Sequence, residues 1–363
     1  MALDLWNSGE LYQLLRDDRL DAEPSFFLDS FFPDTYFSDD EIIRFAKLPQ
    51  EYRVLAPFVL PTEQGKPIFK RKAEVVNDIR PPYIKPKDAV RAEDAMNVLP
   101  SEVYRSGGQR PSLEQRYNRR IVEVTQYHLR AIKMRKIWMA ARAVLDAKVQ
   151  IDYERDQGAS APSVLLDFGR AAGHTVIKTT DFWDDPDTPI MTDIEGYLNT
   201  MVMSAFGGAA TQMIVGASVA PWLKRNTQIK DMLDTRYRGG ESVSVDRGIF
   251  RTAGLVQPLT RIGQLSDNLE VFMYRDYVEN NNGALIDIMD PRDILLVAPG
   301  ASGVVAHGAI LDDEAIAAGL SSVDVFPKMW REKDPGATFM MHQSAPLPIP
   351  LYPNRTFKAR VLA

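Results

Sequence analysis

The sequence predicts an α+β protein in which an extended segment precedes one long helix and short strands follow it. Three observations support this class. Residues 112–147 contain neither glycine nor proline after their first capping residue, residues 49–111 contain nine prolines, and the rest of the chain alternates β-type runs with shorter helical patterns. With 363 residues, 45% of them apolar and 25% charged, the chain is expected to form two domains, or three at most.

Composition excludes several kinds of site. The chain has no cysteine, which rules out disulfides, thiolate metal ligands and thiol nucleophiles. Four scattered histidines disfavour a zinc or Ser-His-Asp centre, and a net charge of −6 gives no overall basic excess for binding nucleic acid. No phosphate-binding loop, dinucleotide fingerprint or HExxH motif occurs. We therefore expect no catalytic residue, no cofactor and no metal.

The N-terminal region is both acidic and aromatic. Residues 1–41 carry eleven acidic residues against two arginines, a net charge of −9, and the six aromatic residues between positions 26 and 37 show no clean helical period. Its first residues are acidic rather than basic, which argues against a secretory signal. Such an arm buries little of itself, so we expect it to lie along another surface.

The proline-rich segment, residues 49–111, predicts extended chain, because prolines at this density suit neither helix interiors nor central strands. Two β-type runs, Arg53–Leu60 and Pro67–Val76, flank a turn at residues 62–66 and predict a hairpin. A sixty-residue segment of this kind is more often functional or interaction-making than part of a compact core.

The clearest element begins at Ser112, where the Ser-Leu-Glu-Gln sequence fits a capping box. A helix from there to residue 147 would be about 50 Å long. One apolar side is predicted, formed by Tyr117, Ile121, Val124, His128, Ile132, Trp138 and Leu145. Residues 110–148 hold ten basic and three acidic residues, and three interpretations of this basic face stay open: a solvated face, an acidic protein partner, or nucleic acid.

Shorter elements follow the long helix. A second capping box at Thr192–Glu195 predicts a helix to about residue 206, another helix is predicted at Ala220–Arg236, and Asp312 is expected to cap a short helix closed by Gly319. Residues 239–254 predict a glycine-rich loop. Strands are predicted at residues 148–153, 163–168, 174–178, 212–218, 269–274, 294–298, 303–310, 338–342 and 357–362.

Several stretches have both a functional and a plain interpretation. The uncharged residues 196–223 are long enough to span a membrane but are broken by polar residues, Gly207-Gly208 and Pro221, so a buried helix, a turn and a core strand are favoured. A plain turn is favoured over phosphate binding at residues 300–303, helix capping over other roles at residues 39–41, and a solvated loop over a cation site at residues 184–187. His128 is expected to be packed rather than a metal ligand.

Five motifs, in order, carry a family resemblance. They are Pro82-Tyr83-Ile84-Lys85-Pro86-Lys87, Leu166-Asp167-Phe168-Gly169-Arg170, Asp193-Ile194-Glu195-Gly196-Tyr197, Leu233-Asp234-Thr235-Arg236, and the ending Trp330, Asp334-Pro335 and Phe339 to Leu347 with its Gln-Ser-Ala-Pro-Leu sequence. Together they resemble the major capsid proteins of lambda-like tailed phages, the phage capsid protein E family. The similarity runs from about residue 10 to the C-terminus.

The resemblance implies the Hong Kong ninety-seven phage capsid fold and a map of the chain onto it. Residues 1–48 would be the N-terminal arm, 49–107 the E-loop with its flanking extended segment, 108–190 the peripheral domain with the spine helix 112–147, 191–311 the axial domain, and 312–363 the return to the peripheral domain. It also implies a non-enzymatic protein of the phage head, located in the virion shell and, during assembly, in the host cytoplasm.

The resemblance further implies partners. These would be other copies of the chain in hexamers and pentamers, a scaffolding protein, the portal, a decoration protein, and packaged DNA held non-specifically on the inner surface, with no membrane. Contacts between copies are expected at eight basic residues, of which four lie in the predicted hairpin and four on the long helix: Lys66, Lys70, Arg71, Lys72, Arg119, Arg120, Lys133 and Lys136.

Two alternatives come from different functional classes. A compartment-forming shell protein of the same fold would enclose protein cargo instead of DNA, and the nucleic-acid content of purified particles would separate the two. A monomeric enzyme acting through paired carboxylates would form no large particle, so size-exclusion chromatography alone would decide.

Overall fold

The computed structural model describes residues 8, 11–12, 25–46, 76–96, 112–153, 163–230, 251–252, 255–256, 258–266, 269–280, 283–334 and 336–363. The helices are α1 Phe26–Phe31, α2 Ala92–Met96, α3 Leu113–Leu145, α4 Ile190–Met203, α5 Ala220–Arg225 and α6 Asp313–Ala317. The strands are β1 Asp34–Phe37, β2 Ile43–Ala46, β3 Val76–Ile79, β4 Lys87–Arg91, β5 Lys148–Asp152, β6 Ser163–Asp167, β7 Thr175–Ile177, β8 Gln212–Gly216, β9 Arg251–Thr252, β10 Leu255–Val256, β11 Leu259–Ser266, β12 Leu269–Tyr274, β13 Tyr277–Glu279, β14 Leu285–Asp287, β15 Asp293–Val297, β16 Gly303–His307, β17 Phe326–Glu332, β18 Ala337–Gln343, β19 Pro346–Pro350 and β20 Thr356–Arg360.

The predicted long helix is confirmed as α3. Its capping box is formed as the sequence predicts: the Ser112 hydroxyl accepts from the Gln115 backbone N–H at 3.2 Å, and the Gln115 side chain accepts from the Ser112 N–H at 3.0 Å. The helix ends at Leu145 with Asp146 as its C-cap. From Ile137 onward most side chains are buried, including three alanines, so the second half of α3 lies inside the protein.

A six-stranded mixed sheet forms the centre of the fold, in the order β11-β12-β8-β15-β20-β7. The middle strand β15 is buried along its whole length, and its side chains alternate between two apolar cores. Ile294 and Leu296 join one core, which contains α4 and α5, whereas Leu295 and Val297 join the other, which contains the second half of α3. The sheet is thus covered by helices on both faces, a layered arrangement that buries a continuous apolar strand.

The N-terminal arm contributes to the core, as expected for an aromatic segment lying along another surface. Helix α1 packs against α3, and Phe27 and Phe31 are almost fully buried. The Phe27 and Tyr274 rings meet edge to face at 5.1 Å, which ties the arm to strand β12. Strand β1 then pairs in parallel with β16, and β16 pairs with β19.

Two further predictions of local structure are wrong. The Thr192 capping box is not formed, because α4 begins at Ile190 after Pro189 and places Thr192 inside the helix. The helix predicted over Ala220–Arg236 is interrupted at Asn226: α5 ends at Arg225, the buried Asn226 side chain donates to the carbonyls of Pro186 and Thr188, and residues 227–230 are helical again. The remainder of the predicted helix lies outside the described residues.

Other short predictions have mixed outcomes. Residues 39–41 form a bend before β2, not a helix start. Asp312 does cap α6, accepting from the Glu314 N–H, and Gly319 follows it with φ +67°. Most of the predicted loop 239–254 lies outside the described residues, but residues 251–252 form strand β9.

A buried ion cluster joins the central sheet to the end of α3. The Asp293 carboxylate, fully buried on β15, contacts the Lys358 ammonium at 3.0 Å and the Arg360 guanidinium at 3.0 Å, both on β20. Lys358 also reaches Asp146, the C-cap of α3, at 2.8 Å, and Arg360 reaches Asp290 at 2.7 Å. The fully buried carboxylate is thus neutralised by two cations, each of which also contacts a second carboxylate.

We expect Asp293→Ala to lower the free energy of unfolding by about 3 kcal/mol, the lower end of the range for breaking a buried pair, because Asp146 and Asp290 remain as partners. Urea unfolding followed by circular dichroism measures the change. Asp287→Ala, which removes an exposed carboxylate, is the matched control and should change stability by less than about 0.5 kcal/mol. Equal stability of the two variants would contradict a structural role for the cluster.

Candidate functional site

The four basic residues predicted in the hairpin, Lys66, Lys70, Arg71 and Lys72, lie outside the described residues, as does most of the predicted hairpin. Its C-terminal end is described: β3 pairs antiparallel with β2, in the register Ile43 opposite Ile79. The segment from residue 76 onward therefore returns to the body of the protein through backbone pairing.

The proline-rich segment contributes strand β4 to a three-stranded sheet that covers the first half of α3. Strand β4 pairs with β18, and β18 pairs with β17. Beneath this sheet Val90 and Met340 pack against Tyr117 and Ile121 of the helix. The Tyr117 hydroxyl hydrogen-bonds Thr338 on β18 at 2.5 Å. The helix, β18 and β4 thus form one packed unit at the root of the proline-rich segment.

A buried pair of histidines lies within this unit. His128 Nε2 is 2.8 Å from an Asp88 carboxylate oxygen on β4, and His128 Nδ1 is 2.9 Å from His342 Nδ1 on β18. Both imidazoles are 1% exposed. The prediction that His128 is packed rather than a metal ligand is in keeping with these contacts, which join three elements.

The hydrogen bonds determine how these rings hold their protons. A carboxylate only accepts, so His128 donates from Nε2 to Asp88, and in a neutral ring its Nδ1 then accepts from His342 Nδ1–H. His342 Nε2 is buried and has no hydrogen-bond partner in the part of the chain that the structure describes. Burial first, and the neighbouring His128 second, lower the pKa of His342 to about 3, so His342 is neutral near pH 7.

His307, like His342, is buried as a neutral imidazole near pH 7. His307, on β16, is 3% exposed and stacks on Phe37 with ring centroids 5.2 Å apart. Burial, followed by the positive charge of Lys136, lowers its pKa to about 3.

The predicted basic residues of α3 have different surroundings. Arg119 and Arg120 both contact Glu123 on the same helix, at 3.4 and 3.1 Å; Arg120 is exposed and Arg119 is half-buried. Lys133 and Lys136 are half-buried, and Lys136 lies close enough to His307 to affect its titration. In the described residues the arm meets the helix through Phe27 and Phe31, and its acidic Glu41 pairs with Arg80 at 3.6 Å.

Large apolar side chains are exposed on several separate elements, and the sequence did not identify most of them. Those more than half exposed are Tyr36, Met96, Tyr127, Leu165, Ile177, Met203, Tyr277, Leu285, Leu311 and Ile316. They stand on strands β1 and β7, on the β5–β6 and β13–β14 hairpins, on helices α2, α3, α4 and α6, and in the loop before α6. Exposed apolar patches mark interaction surfaces when they are contiguous with other such residues.

Cavities and acidic clusters give little sign of a small-molecule site. An open, uncharged groove of about 470 Å³ is lined by Gly173, His174, Thr200 and Met203, among others. Among the described residues no group of three or more His, Asp or Glu side chains is arranged to hold a metal ion. At residues 184–187 the carboxylates bond to local groups, with Asp187 accepting from the Thr227 hydroxyl. None of the described helices is long and apolar enough to cross a membrane.

Acid is expected to destabilise the chain because His307 and His342 fold in the neutral state. Unfolded histidine binds a proton near pH 6.5 and the folded groups only near pH 3, so between these values the unfolded state holds more protons and stability falls as pH falls. Each group contributes about 1.4 kcal/mol per pH unit in this window.

Urea unfolding at pH 7, 6 and 5 tests this expectation. Replacing His307 by Gln should make the loss of stability below pH 6 shallower by about 1.4 kcal/mol per pH unit than in the parent chain. An identical pH dependence in the two chains would show that His307 titrates normally in the folded state.

Comparison with known proteins connects this fold to phage heads. The family model described as phage major capsid protein E matches residues 18–361. The P21 prophage-derived major head protein of Escherichia coli O6:H1 strain CFT073 and the major capsid protein of Enterobacteria phage P21 are each 27% identical over 326 residues, which cover 88% of this chain and 89% of the relative.

A solved structure supports the same conclusion for the fold. The putative capsid protein of a prophage of Escherichia coli CFT073 superimposes with a TM-score of 0.69 at 22% identity, over 99% of both chains. The α+β class and the resemblance found in the sequence are thereby confirmed. Because the family model spans nearly the whole sequence, the chain belongs to the phage major capsid protein E family.

Proposed function

We propose that this chain assembles into hexamers and pentamers that close an icosahedral phage head around double-stranded DNA. The observation that carries the proposal is the family match over residues 18–361, which leaves little of the sequence for a different role. Identical subunits close into rings and shells when a patch on one copy meets a different patch on the next. A head subunit of this kind acts through surfaces, not through a catalytic residue.

The distribution of exposed apolar residues supports this proposal. They occur on the arm (Tyr36), the long helix (Tyr127), the β5–β6 hairpin (Leu165), α4 (Met203) and the β13–β14 hairpin (Tyr277). A shell subunit needs several such surfaces because it contacts neighbours on all sides. Each contact can be weak while the assembled shell is stable, since many contacts act together.

We further propose the Hong Kong ninety-seven division of the chain: arm 1–48, E-loop 49–107, peripheral domain 108–190 and 312–363, and axial domain 191–311. The central sheet joins strands from both proposed domains, since β20 of the peripheral part pairs with β15 of the axial part on one side and with β7 on the other. The boundary between the domains would therefore run through a shared sheet, which favours a rigid subunit over two hinged bodies.

The proposed partners follow from this role. A scaffolding protein and the portal would act during assembly in the host cytoplasm, a decoration protein would bind the finished shell of the virion, and DNA would contact the inner surface without sequence preference. The net charge of −6 limits adhesion to DNA, which must slide during filling.

Electron microscopy of the chain expressed with and without its scaffolding protein tests the proposal. Closed shells or rings of five and six copies are expected, and DNA-filled particles are expected from the infected host. Monomers alone under all salt conditions, with scaffold present, would overturn assembly. Shells that hold protein cargo and no nucleic acid would instead indicate a storage compartment.

Replacing Arg119, Arg120, Lys133 and Lys136 together by Gln is expected to weaken assembly and flatten its dependence on salt. A single exposed ion pair between two copies stabilises their contact by less than about 1 kcal/mol, but several such pairs repeated at every contact favour formation of the whole shell. Light scattering across a salt series measures the effect. Assembly that is unchanged at every ionic strength would mean that this face of α3 is only solvated.

Replacing residues 62–75 by a short Gly-Ser turn is expected to leave a soluble subunit that no longer closes shells. The replacement retains β3, which pairs with β2. Thermal unfolding should remain cooperative, because a two-stranded hairpin adds little to a subunit core. A variant that fails to fold would place the segment in the core. One that assembles normally would show that the predicted hairpin does not hold neighbouring copies together and would assign that role to the N-terminal arm.

A further inference from the structure

The β13–β14 hairpin presents a small face that is both acidic and apolar. Cross-strand pairing places Tyr277 opposite Asp287 and Glu279 opposite Leu285, so the two acids and the two apolar residues lie on opposite diagonals of one face. Tyr277 and Leu285 are 61% and 66% exposed. Neither carboxylate forms an ion pair with any described residue. We call these four residues the hairpin face.

The first half of α3 presents a face of opposite charge. Arg120, Tyr127 and Arg130 recur at spacings of seven and three residues, which puts them on one side of the helix. Tyr127 is 68% exposed, and Arg130 is exposed without an ion pair to any part of the chain that the structure describes. Arg120 contacts Glu123, which is the one acid within this side of the helix. We call Arg120, Tyr127 and Arg130 the arginine stripe.

These two surfaces form no ion pair or hydrogen bond with each other within one chain, and the side chains of both stay exposed. The hairpin is attached at the C-terminal end of α3, where Arg142 donates to the carbonyl of Ile288 and Val278 packs into the core around that end of the helix. At 1.5 Å per residue, Arg130 and Arg120 lie about 18 and 33 Å from Arg142 along the helix axis. A contact between the surfaces would therefore join two copies.

We propose that the hairpin face of one copy binds the arginine stripe of the next, in a head-to-tail contact between subunits. Glu279 and Asp287 would pair with Arg120 and Arg130, while Tyr277 and Leu285 would pack against Tyr127. Because the two patches are different, they allow a heterologous contact, which closes into a ring when the rotation between copies permits it. Complementary charge would fix the register of the contact. This inference rests on the proposed function and names the surfaces through which it would act.

Reciprocal charge reversal tests the pairing in an assembly reaction with the scaffolding protein. The hairpin variant is Glu279→Lys with Asp287→Lys, and the helix variant is Arg120→Glu with Arg130→Glu. Each is expected to reduce the assembled fraction at low salt at least tenfold, because like charges then face each other. The four substitutions combined should restore assembly to within twofold of the parent. If the four-substitution chain assembles no better than the less defective of the hairpin and helix variants, the proposal is overturned.

A matched control separates the specific pairing from net charge. The helix variant combined with Glu195→Lys and Glu332→Lys has the same net charge as the restored chain, but both of these acids are exposed on other elements. It should remain defective. Restoration by this control would mean that overall charge governs assembly. If assembly of the helix variant is instead restored only when the acidic N-terminal arm is shortened, the arginine stripe binds the arm and not the hairpin face.

Disulfide trapping gives a second measurement that does not depend on charge variants folding. Because the natural chain has no cysteine, Tyr127→Cys and Leu285→Cys each introduce the only thiol. A one-to-one mixture of the two chains should form disulfide-linked dimers on oxidation, and each chain alone should not. Shells that form normally with no dimer in the mixture would overturn this contact while leaving the proposed shell function intact.

Discussion

The buried carboxylate of Asp293 is the interaction on which the centre of the structure depends. Strand β20 alternates apolar and basic residues, and its basic side faces the end of α3, where unpaired cations would be costly. Asp293 offsets that cost by contacting Lys358 and Arg360 at once, and Lys358 continues the network to Asp146. Strand order, the position of the chain's last strand and the end of the long helix are therefore coupled through one side chain.

The first half of α3 and the proline-rich segment are joined to each other away from the central sheet. The first half of α3 leaves the core and is covered by β4 and β18, which bring back the proline-rich segment. The hydrogen-bonded series from Asp88 through His128 to His342 joins β4, α3 and β18, with both imidazoles buried and the Asp88 carboxylate partly exposed. Separate exposed surfaces on one subunit suit the proposed assembly by many weak contacts.

Local rules succeeded where a short stretch contains the whole signal. The Ser112 capping box, the length of α3, the Asp312 cap and the strand Leu269–Tyr274 all follow from residues within a few positions of one another. They failed at the Thr192 capping box and at the continuity of the helix through Asn226. In both cases burial decided the outcome, because Ile190 and Ile194 pack on the sheet from the first turn of α4 and the Asn226 amide binds distant carbonyls.

The sequence by itself determined the α+β class, the long capped helix, the aromatic arm and the family of the chain, since each rests on local spacing or on motifs in order. Only the tertiary structure decided that His128 meets His342, 214 residues away, that Lys358 meets Asp146, 212 residues away, and that the acidic hairpin is attached beside Arg142, near the C-terminal end of α3. The physical reason is that ion pairing and proton placement depend on burial and on sheet order. Both arise from contacts between residues far apart in the chain, which no local period records.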